Sequence, residues 1–232
     1  MSYSMRDPSR SAAASRDEGL RAFFVAVYAR MGMALAVSAA TALIVASSPT
    51  LLELIFGTPL HWVVLFAPLA MALFMGRVMI NSTPAGATGW LLVFAAIMGV
   101  TLSSMLIIYT GESVARALLI TACTFGAASL FGYTTGTDLS RMGGILMMAV
   151  IGLIIASVIN IFLQSSGAQF VISALVVLVF TGLAAWDTQR LRVMYLENGG
   201  APGQMAALGA LSLYLDVVNI FVALLSLTGQ RR

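Results

Sequence analysis

The stretch that decides the fold is Met142–Trp186, which reads MGGILMMAVIGLIIASVINIFLQSSGAQFVISALVVLVFTGLAAW and contains no charged residue. A helix needs about 20 apolar residues to cross a bilayer, so this stretch is long enough for two crossings. Its one polar cluster, Gln164–Gln169, divides it into predicted spans at about 142–163 and 169–190. This part of the chain is therefore predicted to be a pair of membrane-spanning helices.

Apolar stretches of similar length flank this pair, and they predict further spans at about 31–48, 60–80, 87–109, 115–136 and 206–228. Only 9% of the residues are charged, whereas a soluble domain averages about 25%. The alternating pattern of an outer-membrane barrel is missing. We therefore predict an all-α integral membrane protein with seven transmembrane helices in a single domain over 21–230. The polar segment 1–20 is expected to be a disordered cytoplasmic tail.

The arginines predict the orientation of these helices. All twelve basic residues are arginines, and nine of them fall on the side of the N-terminus. Cytoplasmic loops carry the excess of basic residues, so this distribution predicts a cytoplasmic N-terminus. The three on the other side are Arg116, Arg231 and Arg232. A re-entrant last span would bring Arg231 and Arg232 back to the inner side, and the sequence leaves that alternative open.

The composition also excludes several kinds of function. Without lysine the chain cannot form a Schiff base, which excludes retinal proteins. One cysteine and one histidine are too few for a thiolate cluster, a multi-histidine metal site or bis-histidine haem ligation. No cofactor is predicted. Membrane orientation explains the net charge of +3, so no nucleic-acid partner is expected and the predicted partner is the lipid bilayer.

Two aspartates fall inside predicted spans, where a carboxylate is costly and marks a functional site by default. Asp216 lies in the middle of the last span, and Asp187 lies near the end of the preceding one. The midpoint between them is position 201.5, in the predicted turn that begins at Glu197–Gly200 and leads through Pro202 and Gly203 into the last span. An antiparallel hairpin would therefore hold them at the same level. Two close carboxylates in a low dielectric cannot both ionise cheaply. Such a pair can share a proton, sense pH or form a weak Ca²⁺ site.

Four other polar residues are candidates for supporting roles. Arg77, near the cytoplasmic end of the second span, is predicted to latch one of the carboxylates through a bidentate bond that protonation would weaken. The alternatives are that Arg77 snorkels to the headgroups, that Asp187 pairs locally with Arg190, and that Asp216 makes a structural hydrogen bond. Asp138 is predicted to cap the following helix. Intramembrane amides are costly unless paired, so Asn160 and Asn219 are each expected to donate to a neighbouring helix.

Four motifs make the chain similar to the Bax-inhibitor motif family of small transmembrane proteins, in its bacterial branch. They are Thr137–Gly143, Asn160–Phe162, Trp186–Gln189 and Leu213–Phe221. The resemblance implies a multi-pass protein of the bacterial inner membrane, with a seven-helix fold in which the last helix is central. It also implies a pH-sensitive Ca²⁺ leak gated by Asp187 and Asp216, with Arg77 in the position of the latch arginine. Bacterial members are further linked to a membrane-bound AAA protease, which they restrain.

Three classes of function compete at this stage. The leading hypothesis is a passive cation leak that protonation of Asp187 and Asp216 controls. The second is a non-transporting regulator that binds a membrane-bound AAA protease through its N-terminal segment or an exposed helix face. An intramembrane enzyme is not expected, because His61 lies at the opposite membrane face from the acids and the sequence contexts of aspartyl intramembrane proteases are missing.

Overall fold

A computed structural model describes residues 8–201 and 203–232. Its helices are α1 (Pro8–Ala46), α2 (Pro49–Phe56), α3 (Leu60–Ile80), α4 (Pro84–Ile108), α5 (Gly111–Thr134), α6 (Ser140–Leu163), α7 (Ser166–Glu197) and α8 (Gly203–Thr228). Seven of these helices are long and apolar enough to cross a membrane, and α2 is the exception. The prediction of an all-helical protein with seven spans is confirmed.

Short polar caps separate the helices. Thr83, Thr110 and Ser165 each accept a hydrogen bond from a backbone N–H three residues on, at the start of α4, α5 and α7. These hydroxyls satisfy N–H groups that have no partner within the helix. Between α7 and α8 the chain turns through Gly199 and Gly200, whose φ angles of +64° and +136° favour glycine. The predicted turn therefore lies where the sequence indicated.

The N-terminal part of the chain differs from the expectation. Helix α1 begins at Pro8, so residues 8–20 are helical where a disordered tail was predicted, and residues 1–7 lie outside the described residues. The segment is rich in alanine and arginine, both good helix formers. The end of this segment is packed: Leu20 is buried, and just beyond it the ring of Phe23 lies 5.2 Å from that of Tyr195 in α7.

The helical bundle has two ends, which we call the near face and the far face. The near face carries the loops 81–83, 135–139 and 198–201, and the far face carries the loop 109–110 and the tail 229–232. On the far face the tail pairs with the loop: the Thr110 N–H donates to the Gln230 carbonyl at 3.0 Å, and the Arg232 N–H donates to Ile108 at 2.9 Å. Helix α8 therefore runs from one face to the other, which contradicts the re-entrant alternative.

Helix α8 forms the centre of the bundle and packs against α1, α3, α4, α5 and α7. Its fully buried positions include Ala207, Ala210, Leu213 and Tyr214. Helix α6 lies at the periphery and packs chiefly against α7. The last helix is central, as the resemblance implied.

Candidate functional site: the aspartates of α7 and α8

Asp187 and Asp216 lie at the same level of the α7–α8 hairpin. Two contacts bracket them: Gly209 packs against the Leu191 side chain toward the near face, and the hydroxyls of Ser173 and Ser226 are 3.3 Å apart toward the far face. Both aspartates are buried, with 9% of Asp187 and 3% of Asp216 exposed. They are near enough for the charge of Asp187 to act on Asp216. The hairpin thus holds two buried carboxyl groups close together.

Within the described structure, Asp216 is buried without the hydrogen bond to Oδ2 or the ion pair that would offset the cost of burying a carboxylate. Its buried Oδ2 has no hydrogen-bond partner among the described residues. The described part of the chain contains one salt bridge, between Arg116 and Glu112 on the far face, so neither buried aspartate is ion-paired there. A buried carboxylate without a partner is costly. The structural hydrogen bond considered for Asp216 is therefore not formed at Oδ2 in this conformation.

Arg190 is the nearest cation to Asp187 along the chain. Its charge acts on Asp187, but the two groups form no salt bridge in the described structure. The guanidinium instead lies over the ring of Trp186, 5.2 Å from the centroid. The local Asp187–Arg190 ion pair considered from the sequence is therefore not formed in this conformation.

The two residues that follow Asp187 anchor α7 to its neighbours. The Thr188 hydroxyl lies 2.9 Å from that of Ser129 in α5, which in turn is bonded to the Tyr28 hydroxyl of α1. Gln189 accepts a hydrogen bond from the Leu139 N–H at 2.8 Å and donates to the Thr137 carbonyl at 2.7 Å. Thr188 and Gln189 therefore hold α7 in place, whereas Asp187 lies close to Asp216.

A second polar contact, which the sequence analysis missed, positions α8. The Tyr214 hydroxyl is 2.7 Å from the Ser38 hydroxyl of α1, and Ser38 donates at 2.7 Å to the Ala95 carbonyl of α4. Tyr214 is fully buried, with Phe94 packed edge-on against its ring. Tyr214 belongs to the motif Leu213–Phe221, but no signal in the sequence singles out Ser38 from the other serines of α1.

Arg77 is not brought to the aspartates. Its side chain is exposed near the end of α3, and it makes no salt bridge within the described part of the chain. A long cationic side chain near a helix end reaches the headgroup region more cheaply than it enters the bundle. The predicted Arg77–aspartate latch is therefore not formed in this conformation, and snorkelling is the alternative that its position favours.

The other predicted polar residues have local partners. Asp138 accepts a hydrogen bond from the Ser140 N–H at 2.9 Å in the first turn of α6. Hydrogen bonds from the Ser140 hydroxyl, which has the larger effect, and from its N–H hold the pKa of the Asp138 carboxyl below its usual value. Asn160 donates to Gln169 of α7 at 3.2 Å. Asn219 donates to the Leu215 carbonyl of its own helix, so its expected bond to a neighbouring helix is not formed.

The donor set at the paired aspartates is small. The described residues contain no group of three or more His, Cys, Asp or Glu side chains that could hold a metal ion. Ca²⁺ takes six to eight oxygen ligands, and two carboxyl groups supply at most four. A cation could therefore bind between Asp187 and Asp216 only weakly and with water or carbonyl oxygens as further ligands.

Comparisons with known proteins identify the family. The chain matches the family model described as "Inhibitor of apoptosis-promoting Bax1" over residues 20–232. It is 45% identical to an uncharacterized protein of Caulobacter vibrioides, over 99% of this chain and 97% of that protein. It is also 38% identical to the inner membrane protein YbhL of Escherichia coli, over 92% of this chain and 94% of YbhL. The chain belongs to the Bax inhibitor family and is a multi-pass bacterial membrane protein.

Proposed function

We propose that this member of the Bax inhibitor family is a pH-sensitive passive leak for cations, with Ca²⁺ as the preferred ion. Asp187 and Asp216 form its gate. The observation that carries the proposal is the buried Asp216 Oδ2, which lacks a hydrogen-bond partner among the described residues and lies beside a second buried carboxyl group. An uncompensated carboxyl group within a membrane-spanning helix marks an ion or proton pathway.

The conformation described here corresponds to a closed state. Asp187 and Asp216 are 9% and 3% exposed, so bulk water has little access to them. Two negative charges in this setting would repel each other without a counter-ion. The closed state therefore requires that at least one of the two carboxyl groups carries a proton.

Loss of that proton opens the gate in the proposed mechanism. When both carboxylates are charged, their repulsion and their need for solvation favour separation of α7 and α8 and entry of water. Thr188 and Gln189 anchor α7 to α5 and to the loop 135–139, so we expect α8 to make the larger movement. The leak therefore increases as the pH rises, which reverses the sign expected for an arginine latch that protonation releases.

A site made of two carboxylates is better suited to conducting cations than to storing them. A cation that enters the open gate neutralises the paired charges, but it finds fewer protein ligands than a tight Ca²⁺ site offers. Conduction requires a site that is favourable enough to enter and weak enough to leave. The small donor set at Asp187 and Asp216 therefore supports a leak and argues against a Ca²⁺-storage role.

Ca²⁺ flux into liposomes that contain a Ca²⁺ dye tests this proposal. The wild-type protein is expected to show flux that rises with pH. In Asp187→Asn and Asp216→Asn we expect flux at high pH to fall by about tenfold and its pH dependence to disappear, because the amide cannot ionise. Asp17→Asn is the matched control, since Asp17 is exposed on α1, and it is expected to behave as the wild type.

Two results would overturn the proposal. Unchanged flux and an unchanged pH profile in both buried variants would show that the aspartates are not the gate. If the wild-type protein produces no flux above that of empty liposomes, the competing function is favoured, a non-transporting regulator of a membrane-bound AAA protease. In that case deletion of residues 1–18 is expected to prevent co-purification of the protease, whereas the two aspartate variants retain it.

A further inference from the structure

A large cavity lies between α1, α4, α5 and α8, in the half of the bundle toward the far face. Its volume is about 620 Å³. Leu35 and Ala39 of α1, Leu102 of α4, Leu118 of α5 and Phe221 of α8 are among its lining residues. Ligand sites typically measure about 300–1,000 Å³. The cavity is therefore large enough for a ligand, whereas a close-packed interior rarely leaves such a void.

The polar atoms of the cavity wall are already bonded. Ser38 and Thr121 are the lining residues with hydroxyl groups. Ser38 bonds to Tyr214 and to the Ala95 carbonyl, and Thr121 donates to the Ala117 carbonyl at 2.7 Å. Apolar cavities without free polar groups stay dry and take up apolar ligands. The occupant that fits this cavity is a hydrocarbon rather than an ion or a column of water.

The cavity is continuous with the lipid-facing surface of the protein. Leu43 on the α1 wall and Leu118 on the α5 wall are 58% and 52% exposed. Ala39 and Ala122, on the same two walls, are exposed as well. Because α1 and α5 are membrane-spanning helices, the gap between them opens sideways into the bilayer. An acyl chain of a surrounding lipid can enter without passing through water.

Positive charge lies at the far-face end of the same cavity. The bridge between Tyr109 and Arg231, together with the bond from the Arg232 N–H to the Ile108 carbonyl, holds the backbone of Arg231 and Arg232 beside the loop 109–110. Leu106 and Val114, on either side of that loop, line the cavity. Arg231 and Arg232 are exposed and form no salt bridge in the described structure. A phosphate group would complement this pair.

We propose that this cavity binds a phospholipid of the leaflet at the far face, with one acyl chain between α1 and α5 and the phosphate beside Arg231 and Arg232. The site explains two arginines on the side of the membrane where the count of basic residues is low. It also places a bound acyl chain against Val217, Val218 and Phe221 of α8. These residues adjoin Asp216 but do not include it, so the site is separate from the proposed gate.

Native mass spectrometry of the delipidated full chain with added phosphatidylglycerol tests the proposal. We expect one tightly bound lipid per chain. Ala39→Phe and Ala122→Phe fill the cavity and are expected to weaken binding about tenfold. Ala40→Phe is the matched control, because Ala40 is an exposed alanine of α1 outside the cavity lining, and it is expected to bind as the wild type.

The headgroup half of the site is tested in the same assay. Arg231→Gln with Arg232→Gln is expected to weaken binding several-fold, whereas Arg141→Gln, an exposed near-face control, is expected to leave it unchanged. Diacylglycerol with the same chains is expected to bind more weakly than phosphatidylglycerol, because it lacks the phosphate. The proposal is overturned if the two phenylalanine variants retain the lipid, if diacylglycerol binds equally well, or if glycerol phosphate alone displaces the lipid.

Discussion

Helices α6 and α8 are both strongly apolar, yet the fold uses them in opposite ways. In the most apolar 18-residue stretch of each helix, 67% of the residues of α8 are buried, against 11% of those of α6. Helix α6 is nevertheless the more apolar of the two. In a soluble protein the more apolar helix would be expected at the core. Here it faces lipid.

The difference follows from the solvent. Lipid tails are as apolar as leucine, so hydrophobicity does not select which helix is buried in a membrane protein. Close packing of small residues and hydrogen bonds between helices select it instead. Helix α8 carries Ala206, Ala207, Gly209 and Ala210 at buried positions. Helix α6 presents large side chains such as Ile155 and Phe162 to the bilayer.

The largest effect on stability is expected where the central hairpin is held by side-chain hydrogen bonds. Gln189→Leu removes both bonds from α7 to the loop 135–139 and leaves the Leu139 N–H and the Thr137 carbonyl without this partner. Leu139 is buried, and a buried N–H left unpaired costs about 1–3 kcal/mol, to which the loss of the second hydrogen bond adds. We expect a clear drop in the midpoint of thermal unfolding, measured on the purified protein in detergent.

The control for this variant comes from the peripheral helix. Among the described residues, Ser157 of α6 bonds only to the Leu153 carbonyl of its own helix, so Ser157→Ala is expected to leave the midpoint nearly unchanged. Equal destabilisation by the two variants would show that the central hairpin and the peripheral helix α6 contribute equally to stability. That result would contradict the contrast drawn between them.

A smaller loss is expected from enlarging a glycine of α8. A Cβ atom on Gly209 would come within 2.8 Å of the Leu191 side chain, which is itself buried. Gly209→Leu therefore overpacks the α7–α8 contact, which costs about 1–3 kcal/mol. Thermal unfolding and the yield of monodisperse protein measure the loss.

Gly152→Leu in α6 is the matched substitution. A Cβ atom on Gly152 meets nothing within 4 Å, because this position faces lipid. We expect the unfolding midpoint of Gly152→Leu to equal or exceed that of the wild type. A larger loss in Gly152→Leu than in Gly209→Leu would contradict the assignment of α8 as the packed centre.

The smallest effect is expected at Arg77 on α3, a second peripheral helix. Its side chain is exposed and makes no salt bridge among the described residues, and exposed substitutions of this kind change stability by about 0.5 kcal/mol or less. Arg77→Gln is expected to retain the Ca²⁺ flux and its pH profile in liposomes. A shifted pH profile would restore the latch hypothesis and show that Arg77 reaches an aspartate in another conformation.

Much of the fold could be predicted because the bilayer imposes it. The polar cluster Gln164–Gln169 had to divide the long apolar stretch, and α6 and α7 indeed end and begin there. The level of Asp187 and Asp216 followed from the hairpin alone. The helical segment 8–20 and the short helix α2 were missed, since neither is needed to cross the membrane and their formation depends on helix propensity and packing.

The side-chain partners could not be predicted in the same way. The position of Arg77 along α3 predicted that its guanidinium binds one of the carboxylates. The residue lies on an exposed face of α3, however, so its side chain does not enter the bundle. Asn219 and Asn160 share a similar sequence context, yet one bonds within its own helix and the other reaches α7. Which face of a helix meets a neighbour depends on the rotation of the packed helices, and the pattern of apolar residues does not specify rotation when every face is apolar.

The sequence by itself determined the number of spans, their approximate positions and the level of the two intramembrane aspartates, because hydrocarbon thickness and helix geometry leave little choice. Only the tertiary structure decided that α8 is central, that Thr188 and Gln189 have partners while Asp216 Oδ2 has none among the described residues, and that a cavity opens beside α8. These features depend on contacts between distant segments, such as Ser38 with Tyr214. Packing of the helices creates those contacts, and hydropathy along the chain does not encode them.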